Sequence, residues 1–275
     1  MSFLAVSSAA LPVDIRPILG PGIRLVAPSS GHWSRADFLA AAAEADGVIT
    51  IVSDRIDDAF VDAAPRLKVI ANFAVGYDNV DVAAATGRRI WVTNTPDVLT
   101  EATADFTWAL LLAAARRIVE GDDLARSGRW TGWEPGQHLG LGVHGQTLGI
   151  IGLGRIGRAV ACRGAGFAMR ILYAGPRPSA WAEPGWRRVE AATLFAEADF
   201  VSLHCPLSPA THHMVDARVL ATMKPTAILI NPARGGCVDE AALGAAIAAG
   251  QIAGAGLDVF AAEPAIHPSL LASER

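Results

Sequence analysis

The sequence of 275 residues lacks most features that mark secreted, metal-binding or membrane-spanning proteins. Its three cysteines, Cys162, Cys205 and Cys237, form no Cys-x-x-Cys pair, which argues against a disulfide framework and a zinc site. No apolar run is long enough to span a bilayer, and the nearest candidate, Trp108–Ala115, is followed by arginines. The apolar start of the chain lacks the basic region of a signal peptide. We therefore expect a cytoplasmic protein with reduced thiols, no metal and no membrane partner.

A surplus of positive charge is also lacking. The net charge is −4 and no basic block occurs, which argues against a nucleic-acid partner. Apolar residues make up 52% of the chain and charged residues 18%, a balance that suits a well-buried α/β protein and excludes a disordered one. A chain of this length can bury two medium-sized cores, so we expect two domains.

A glycine-rich turn lies between a strand-like run and a helix-like stretch. The apolar run Leu148–Ile151 leads directly into Gly152, Gly154 and Gly157, spaced as Gly-x-Gly-x-x-Gly. The first glycine allows a tight turn, the second lets a pyrophosphate approach the backbone, and the third lets the helix pack close to the strand. The start of the helix offers N–H groups to the phosphates. The alternative is a chance glycine turn, but the flanking strand and helix favour a dinucleotide site.

Apolar runs alternate with helix-like stretches along the chain, which predicts βαβ units and parallel sheets. The predicted strands of the first part are Phe3–Val6, Ile23–Val26, Gly47–Val52, Val69–Asn72 and Ile90–Thr93, and the predicted helices are Ala36–Ala45, Asp57–Ala64 and Val80–Thr86. The predicted strands of the second part are Leu148–Ile151, Ile171–Tyr173, Phe200–His204, Ala227–Ile230 and Ala253–Val259.

A long apolar stretch between the two parts predicts a helix from Thr100 to Val119, with Thr100 as its N-cap. Because its middle is apolar on nearly all sides, we expect it to be buried against more than one surface, between domains or subunits. A Gly/Trp/Pro-rich arm with Trp130 and Trp133 follows. Such arms often anchor partners, and the alternative is a loop packed on its own domain.

The residues after the second strand of the glycine-motif domain bear on the choice of cofactor. NAD-binding domains carry an Asp or Glu there for the ribose 2′-OH. In this sequence no carboxylate occurs before Glu183, and the first charged residue is Arg177. A guanidinium at that place suits a 2′-phosphate, so we expect NADP, with NAD possible. The alternative is that Arg177 is merely solvated and the site does not distinguish NADP from NAD.

Five ordered blocks stand out in the sequence. They begin at Asn72 (Asn-Phe-Ala-Val-Gly-Tyr-Asp-Asn-Val-Asp), Gly152 (the glycine motif), Ser202 (Ser-Leu-His-Cys-Pro-Leu), Asn231 (Asn-Pro-Ala-Arg-Gly-Gly) and Gly256 (Gly-Leu-Asp-Val-Phe-Ala-Ala-Glu-Pro). Together they resemble the D-isomer-specific 2-hydroxyacid dehydrogenases over nearly the whole chain. The Trp-containing arm and Arg177 resemble the glyoxylate/hydroxypyruvate reductase branch.

The resemblance implies roles for individual residues. Arg234 offers a rigid fork that can hold the carboxylate of a 2-oxoacid and polarise its carbonyl, unless it is only a structural arginine. The N–H groups of Val75 and Gly76 would bind the substrate carboxylate, unless they form an ordinary glycine turn. Asp258 resembles the aspartate beside the nicotinamide, and Glu263 resembles the carboxylate that holds the acid–base histidine and raises its pKa. Further positions match residues that line the cofactor: Arg155, Ile156, Cys205, Pro206 and Ala233.

The family's acid–base histidine, in a Pro-His-x-Gly-Ser context beyond Glu263, has no counterpart here. His267 stands in Ala-Ile-His-Pro, which resembles a loop before that site, so we do not expect it to be catalytic. We therefore expect a C-terminally truncated enzyme that lacks a strand and helices. An edge strand and apolar surface would then be left uncovered.

Two domains are thus expected: a flavodoxin-like substrate domain over residues 1–98, and a Rossmann dinucleotide-binding domain with a dimerisation helix and arm over residues 99–275. The resemblance implies an active site in the cleft between them and a homodimer. The expected function is hydride transfer between NAD(P)H and a small 2-oxoacid such as glyoxylate or hydroxypyruvate, impaired by loss of the histidine. The alternatives are a dinucleotide-binding module without turnover, a fragment of a longer dehydrogenase, and an enzyme that oxidises phosphite, whereas Glu263 argues against oxidation of formate.

Overall fold

The computed structural model describes residues 3–273 and 275. Contacts between Cα atoms divide the chain into two compact units, Met1–Val98 and Leu99–Arg275. Every strand pairing within the two sheets is parallel, which confirms the predicted α/β class. Within the described residues, no helix is both long and apolar enough to cross a membrane.

The first unit is a five-stranded sheet with the strand order β2-β1-β3-β4-β5, the flavodoxin-like order. Its elements are β1 (Phe3–Ser7), α1 (Arg16–Leu19), β2 (Ile23–Val26), α2 (Arg35–Ala42), β3 (Gly47–Thr50), α3 (Asp58–Ala63), β4 (Val69–Asn72), α4 (Val82–Gly87) and β5 (Trp91–Thr93). Ser34, Asp57 and Asp81 each accept a backbone N–H and so cap α2, α3 and α4. The rings of Phe38 and Phe60, 5.0 Å apart, pack α2 against α3 in the core.

The second unit is a six-stranded sheet with the order β11-β10-β9-β6-β7-β8, the Rossmann order read from its other edge. Its helices are α5 (Thr100–Arg116), α6 (Ile118–Arg126), α7 (Arg155–Gly164), α8 (Ala191–Glu197), α9 (Ala217–Leu220), α10 (Glu240–Ala248) and α11 (Pro268–Leu271). Its strands are β6 (Thr147–Ile151), β7 (Arg170–Ala174), β8 (Arg187–Arg188), β9 (Phe200–Leu203), β10 (Ile228–Asn231) and β11 (Gly254–Leu257). All residues of β6, β9 and β10 are buried, as expected for parallel strands covered on both faces.

The helix predicted from Thr100 to Val119 is two helices. Arg117 adopts the left-handed conformation, with φ of 55°, and this separates α5 from α6. The N-cap of α5 is Leu99, so the prediction that Thr100 caps the helix is wrong by one residue. Helix α5 packs on α7, β10 and β11, whereas Phe106 on its other side is 45% exposed. Within the described residues, α5 is therefore buried on one side and not on nearly all sides.

Candidate active site

The glycine turn after β6 has a backbone that side chains would not tolerate. Gly152 has φ of +93°, and a Cβ atom there would lie 2.6 Å from the carbonyl oxygen of His204. A Cβ atom at Gly157 would overlap the carbonyl oxygen of Gly152. These two glycines let α7 start directly above the end of β6, in the place where a dinucleotide fold holds its phosphates.

The start of α7 is open. Gly154 is the N-cap and supplies no side-chain hydrogen bond to the helix. Among residues 3–273 and 275, no atom outside its chain neighbours lies within 4 Å of a Cβ built on Gly154. The first N–H groups of a helix have no partner within it, so this space suits an anionic group. The residues of this turn therefore fit the pyrophosphate of a dinucleotide.

The loop after β7 is tied to the same turn. The Ser179 hydroxyl donates to the carbonyl of Leu153 at 2.6 Å, and the Arg188 guanidinium donates to the carbonyl of Gly175 at 3.1 Å. These two bonds hold the segment between them, in which Arg177 is exposed. Sequence reasoning missed Ser179, although hydroxyl residues after this strand would have been a signal.

Glu183, the first carboxylate after β7 in the sequence, forms an ion pair. Arg158, on α7, donates from Nε to Oε1 of Glu183 at 3.1 Å and also from Nη2. The guanidinium of Arg155 lies over the ring of Trp181, 5.8 Å from its centroid. Two arginines, Arg155 and Arg158, thus lie in the first turn of α7, and Arg158 is paired with Glu183.

Strand β10 places Arg234 through a buried asparagine. Asn231, the last residue of β10, accepts the N–H of Ala233 at 3.1 Å and donates to the carbonyl of Arg234 at 2.9 Å. Arg234 is half-buried and extended, with φ of −148° and ψ of 134°. Its Nη1 donates to the carbonyl of Ala233 at 2.7 Å. Asn231 therefore shapes the turn that carries the predicted catalytic arginine.

The two predicted carboxylates lie in one loop after β11. The Asp258 N–H donates to the carbonyl of Asn231 at 3.1 Å, and Glu263 accepts the N–H of Phe260 at 2.8 Å. Partial burial raises the pKa of Asp258, and the negative charge of Glu263 raises it further. The loop therefore favours the protonated form of Asp258 relative to a free aspartate.

The segment after β9 lies against the backbone of the glycine turn. The His204 N–H donates to the carbonyl of Ile151 at 2.7 Å, and its Nε2 lies 2.8 Å from the Ser202 hydroxyl. Burial lowers the pKa of His204 to about 3, so the imidazole is neutral near pH 7. This environment suits a structural histidine.

Cys205 and Pro206 follow at the same edge of the sheet. The sulfur of Cys205 lies 3.6 Å from that of Met214 and 4.0 Å from that of Cys237. Its hydrogen bond with Cys237 and its burial raise the pKa of the Cys205 thiol. Cys205 is therefore a neutral thiol that packs in place and not a nucleophile.

The predicted carboxylate-binding residues Val75 and Gly76 lie in the first unit, after β4. The carbonyl of Ala74 accepts the Thr95 N–H at 3.0 Å, and the carbonyl of Val75 accepts the Asn94 amide at 2.9 Å. In a trans peptide the N–H points opposite to the carbonyl. The N–H groups of Val75 and Gly76 therefore both point away from these contacts, an arrangement that suits an anion.

Two further asparagines hold this loop. Asn72 donates to the carbonyl of Gly76 at 2.7 Å. Asn79 donates to the carbonyls of Ile51 and Asp54 at 3.1 and 3.0 Å and to the side chain of Asn72 at 3.1 Å. These asparagines have positioning roles that sequence reasoning did not assign.

The structure thus places the predicted residues in two groups. Val75 and Gly76 lie in the unit Met1–Val98. In Leu99–Arg275, the remaining ones follow the carboxyl ends of β6, β7, β9, β10 and β11, the edge at which open α/β sheets bind ligands. His267 stands apart, because its side chain caps α11 by accepting the N–H of Ser269.

Comparisons with known proteins agree with this geometry. Residues 108–275 match the model of the D-isomer specific 2-hydroxyacid dehydrogenase, NAD binding domain. The chain belongs to this dehydrogenase family. It is 52% identical over 233 residues to the glyoxylate reductase of Thermococcus litoralis, covering 82% of this chain and 70% of that protein. It is 50% identical over 243 residues to the glyoxylate reductase of Thermococcus onnurineus, covering 86% and 73%.

A solved structure of the dehydrogenase family shows the same fold with a ligand. The NADPH-dependent glyoxylate/hydroxypyruvate reductase of Sinorhizobium meliloti, in complex with NADP and malonate, is 35% identical with a TM-score of 0.88. The match covers all of this chain and 84% of that one. This chain is accordingly an NAD(P)-dependent dehydrogenase with a nicotinamide dinucleotide as cofactor.

Proposed function

We propose that this chain reduces glyoxylate or a closely related small 2-oxoacid, such as hydroxypyruvate, and prefers NADPH. The observation that carries the proposal is the turn after β10, where buried Asn231 holds Arg234 at the ligand-binding edge of the sheet. The relatives named glyoxylate reductase support the substrate class. Malonate, bound in the Sinorhizobium meliloti enzyme, is a small carboxylic acid of similar size.

The chemistry divides among a few groups. The nicotinamide, when bound, supplies a hydride. Arg234 holds the substrate carboxylate and polarises the carbonyl, which stabilises the negative charge that develops on its oxygen. The N–H groups of Val75 and Gly76 bind the carboxylate. Asp258 would lie on the nicotinamide side. The acid–base histidine that Glu263 would orient has no counterpart in this sequence, so the proton for the carbonyl oxygen comes from water.

The role of Arg234 can be tested by NADPH oxidation in the presence of glyoxylate. Arg234→Ala should lower kcat/KM about 100-fold or more, because one preorganised donor to a developing oxyanion is worth that much. The control is Arg218→Ala, since Arg218 lies in the same unit with a side chain that is 93% exposed. His267→Ala should retain turnover. A wild-type protein that binds NADPH but reduces no 2-oxoacid would instead favour a dinucleotide-binding module.

The preference for NADPH rests on Arg177 and on the engagement of Glu183. Glu183 is paired with Arg158, whereas Arg177 is exposed in a loop tied to the phosphate turn. Arg177→Ala should raise the Kd of NADPH about 10- to 100-fold, the value of hydrogen bonds to a charged group, and leave the Kd of NADH unchanged. Equal effects on both cofactors would contradict the preference.

The chain is also proposed to form a homodimer through α5 and the arm that follows α6. In that arm Trp130 is 57% exposed and Trp133 is 81% exposed, which is unusual for tryptophan in a protein without a partner. Light scattering should show a dimer, and the variant with Trp130→Ala and Trp133→Ala together should shift it toward monomer. The cytoplasmic location expected from the sequence stays a prediction.

A further inference from the structure

Glu240, at the start of α10, is a buried carboxylate outside the predicted site. Only 9% of the residue is exposed. Its Oε1 accepts the backbone N–H of Ala261 at 2.6 Å. The first turn of a helix favours a negative charge, which offsets part of the cost of burial. The hydrogen bond of Glu240 therefore links the start of α10 to a loop 21 positions further along the chain.

The loop in question carries both predicted carboxylates. Ala261 lies three positions after Asp258 and two before Glu263. The N–H of the preceding residue, Phe260, donates to Glu263 at 2.8 Å, so the Ala261 anchor and the Glu263 side chain belong to one local structure. The Glu240 bond therefore acts in the middle of the segment that sets the positions of Asp258 and Glu263.

The same segment lies against the turn that carries Arg234. A Cβ atom on Gly235 would overlap the backbone of Phe260 and Ala261, so the two chain segments touch without a side chain between them. Such close contact transmits a shift of one backbone to the other, because a packed interface has little free volume. A displacement of Ala261 would thus alter the surroundings of Arg234.

The start of the loop has its own anchor. Asp258 is held by the bond from its N–H to the carbonyl of Asn231. On the far side, the Ser269 hydroxyl donates to the backbone carbonyl of Glu240 at 3.3 Å. Removal of the Glu240 side chain leaves both of these bonds in place. The expected effect is therefore local freedom between Asp258 and Glu263 and not loss of the fold.

We propose that Glu240 is a positioning residue, which fixes the loop of Asp258 and Glu263 against the Arg234 turn through the N–H of Ala261. This role in turnover rests on the proposed reductase function, whereas the positioning itself does not. Two variants distinguish the negative charge of Glu240 from its ability to accept a hydrogen bond. Glu240→Ala removes the acceptor, and Glu240→Gln keeps an oxygen acceptor in nearly the same place. Glu190→Ala is the matched control, since Glu190 stands exposed before α8 and makes no side-chain cap.

The first measurement is amide hydrogen exchange without cofactor or substrate. Glu240→Ala should accelerate exchange in the peptide 258–264 about tenfold or more, because a hydrogen bond to a charged group is lost. Glu240→Gln should stay within about threefold of wild type, since it keeps a neutral hydrogen bond. Unchanged exchange in Glu240→Ala, or an equal rise across residues 99–275, would overturn the proposal.

The second measurement is a carboxyl NMR titration of labelled Asp258, assigned with Asp258→Asn. Release of the loop should expose Asp258 to water and separate it from Glu263, and both changes should lower its pKa toward the ordinary value, whereas Glu240→Gln should keep it raised. A change in fold stability alone would not move this pKa in the native state. An Asp258 titration identical in Glu240→Ala and wild type would contradict the positioning role.

The third measurement is steady-state reduction of glyoxylate. Glu240→Ala should lower kcat about tenfold, with the Kd of NADPH within about twofold, since the phosphate turn at Gly152 belongs to another loop. Glu240→Gln should restore most of kcat. If the wild type does not reduce glyoxylate, the proposed function fails while exchange and titration still decide on Glu240. If kcat stays at the wild-type level in Glu240→Ala, Glu240 does not position groups that take part in the reaction.

Discussion

Two turns at the carboxyl ends of the sheets, one in each unit, are held in different ways. In Met1–Val98, side-chain amides reach across to backbone carbonyls, as Asn79 does to Ile51 and Asp54. In Leu99–Arg275, the turn after β6 relies on direct contact between backbones, which Gly157 permits. The first arrangement leaves N–H groups free to face an anion. The direct contact between backbones brings the start of α7 close to the end of β6, with no side chain between them.

This difference predicts different sensitivities to substitution. A loop held by amides loses defined hydrogen bonds when one amide is removed, and the rest of its unit persists. A turn held by backbone contact has no room for one added methyl group. Replacing its glycine with alanine should therefore be more disruptive than removing a polar side chain elsewhere. Four variants test the sensitivities of the two units, and they follow in order of decreasing expected effect.

Gly157→Ala should have the largest effect. The added methyl group would overlap the carbonyl oxygen of Gly152, so α7 must move away from β6. We expect the second unit to lose about 3 kcal/mol of unfolding free energy and NADPH binding to weaken at least tenfold. Urea unfolding and NADPH titration measure both. The control is Gly166→Ala, where a Cβ atom meets nothing within 4 Å among the described residues; equal effects of the two variants would contradict the comparison.

Asn79→Ala should act on the first unit alone. It leaves the carbonyls of Ile51 and Asp54 without their amide donor, which we expect to lower the unfolding free energy of that unit by about 2 kcal/mol. Hydrogen exchange should rise in residues 51–54 and 72–79, and the KM for glyoxylate should rise with the Kd of NADPH unchanged. Thr86→Ala is the control, because it removes one exposed hydrogen bond. Faster exchange in residues 99–275 would refute this assignment.

His204 should make the second unit sensitive to acid. Burial lowers the pKa of His204 from the ordinary 6.5 of histidine to about 3, so below pH 6.5 the unfolded chain binds a proton that the folded one does not. Stability is therefore lost as pH falls from about 6.5 toward 3. Between pH 7.5 and 5.5 this amounts to about 1.4 kcal/mol.

The measurement is urea unfolding at both pH values in wild type and His204→Gln. The variant replaces a titrating group near the Ser202 hydroxyl with a neutral amide, so its stability should fall less on acidification. An identical pH dependence in the two proteins would show that the imidazole is already accessible to protons.

Asp258→Asn should have the smallest effect. The pKa of Asp258 is raised, so its stabilising contribution is present below the unfolded value of 3.8 and is lost as pH rises through the folded value. At pH 7 the neutral asparagine should therefore raise Tm slightly, by less than about 2 °C. Differential scanning calorimetry at pH 7 and pH 3 checks this, since the difference should vanish at the lower pH. A lower Tm at pH 7 would contradict the sign.

Much of the architecture followed from local patterns. Apolar runs alternating with helical stretches predicted the parallel α/β class, because a strand buried on both faces has to be apolar throughout. The spacing from Gly152 to Gly157 predicted the turn, since Gly152 adopts a positive φ and Gly157 has no room for a side chain beside the carbonyl of Gly152. The break at Arg117 was missed, because arginine carries no signal for the left-handed conformation that it adopts. Strand β8 was missed too, since Arg187–Arg188 has no apolar pattern.

The fold class, the glycine turn and the placement of Arg234 after a buried strand follow from the order of amino acids alone, because these features depend on neighbouring residues. The bonds that hold the loops depend on contacts between distant parts of the chain. Asn79 reaches Ile51 across 28 positions, and Glu240 reaches Ala261 across 21. Such contacts have no periodic signature, since a side chain finds its partner only after the strands and helices between them have packed. The positions of the charges at the site are therefore a consequence of folding.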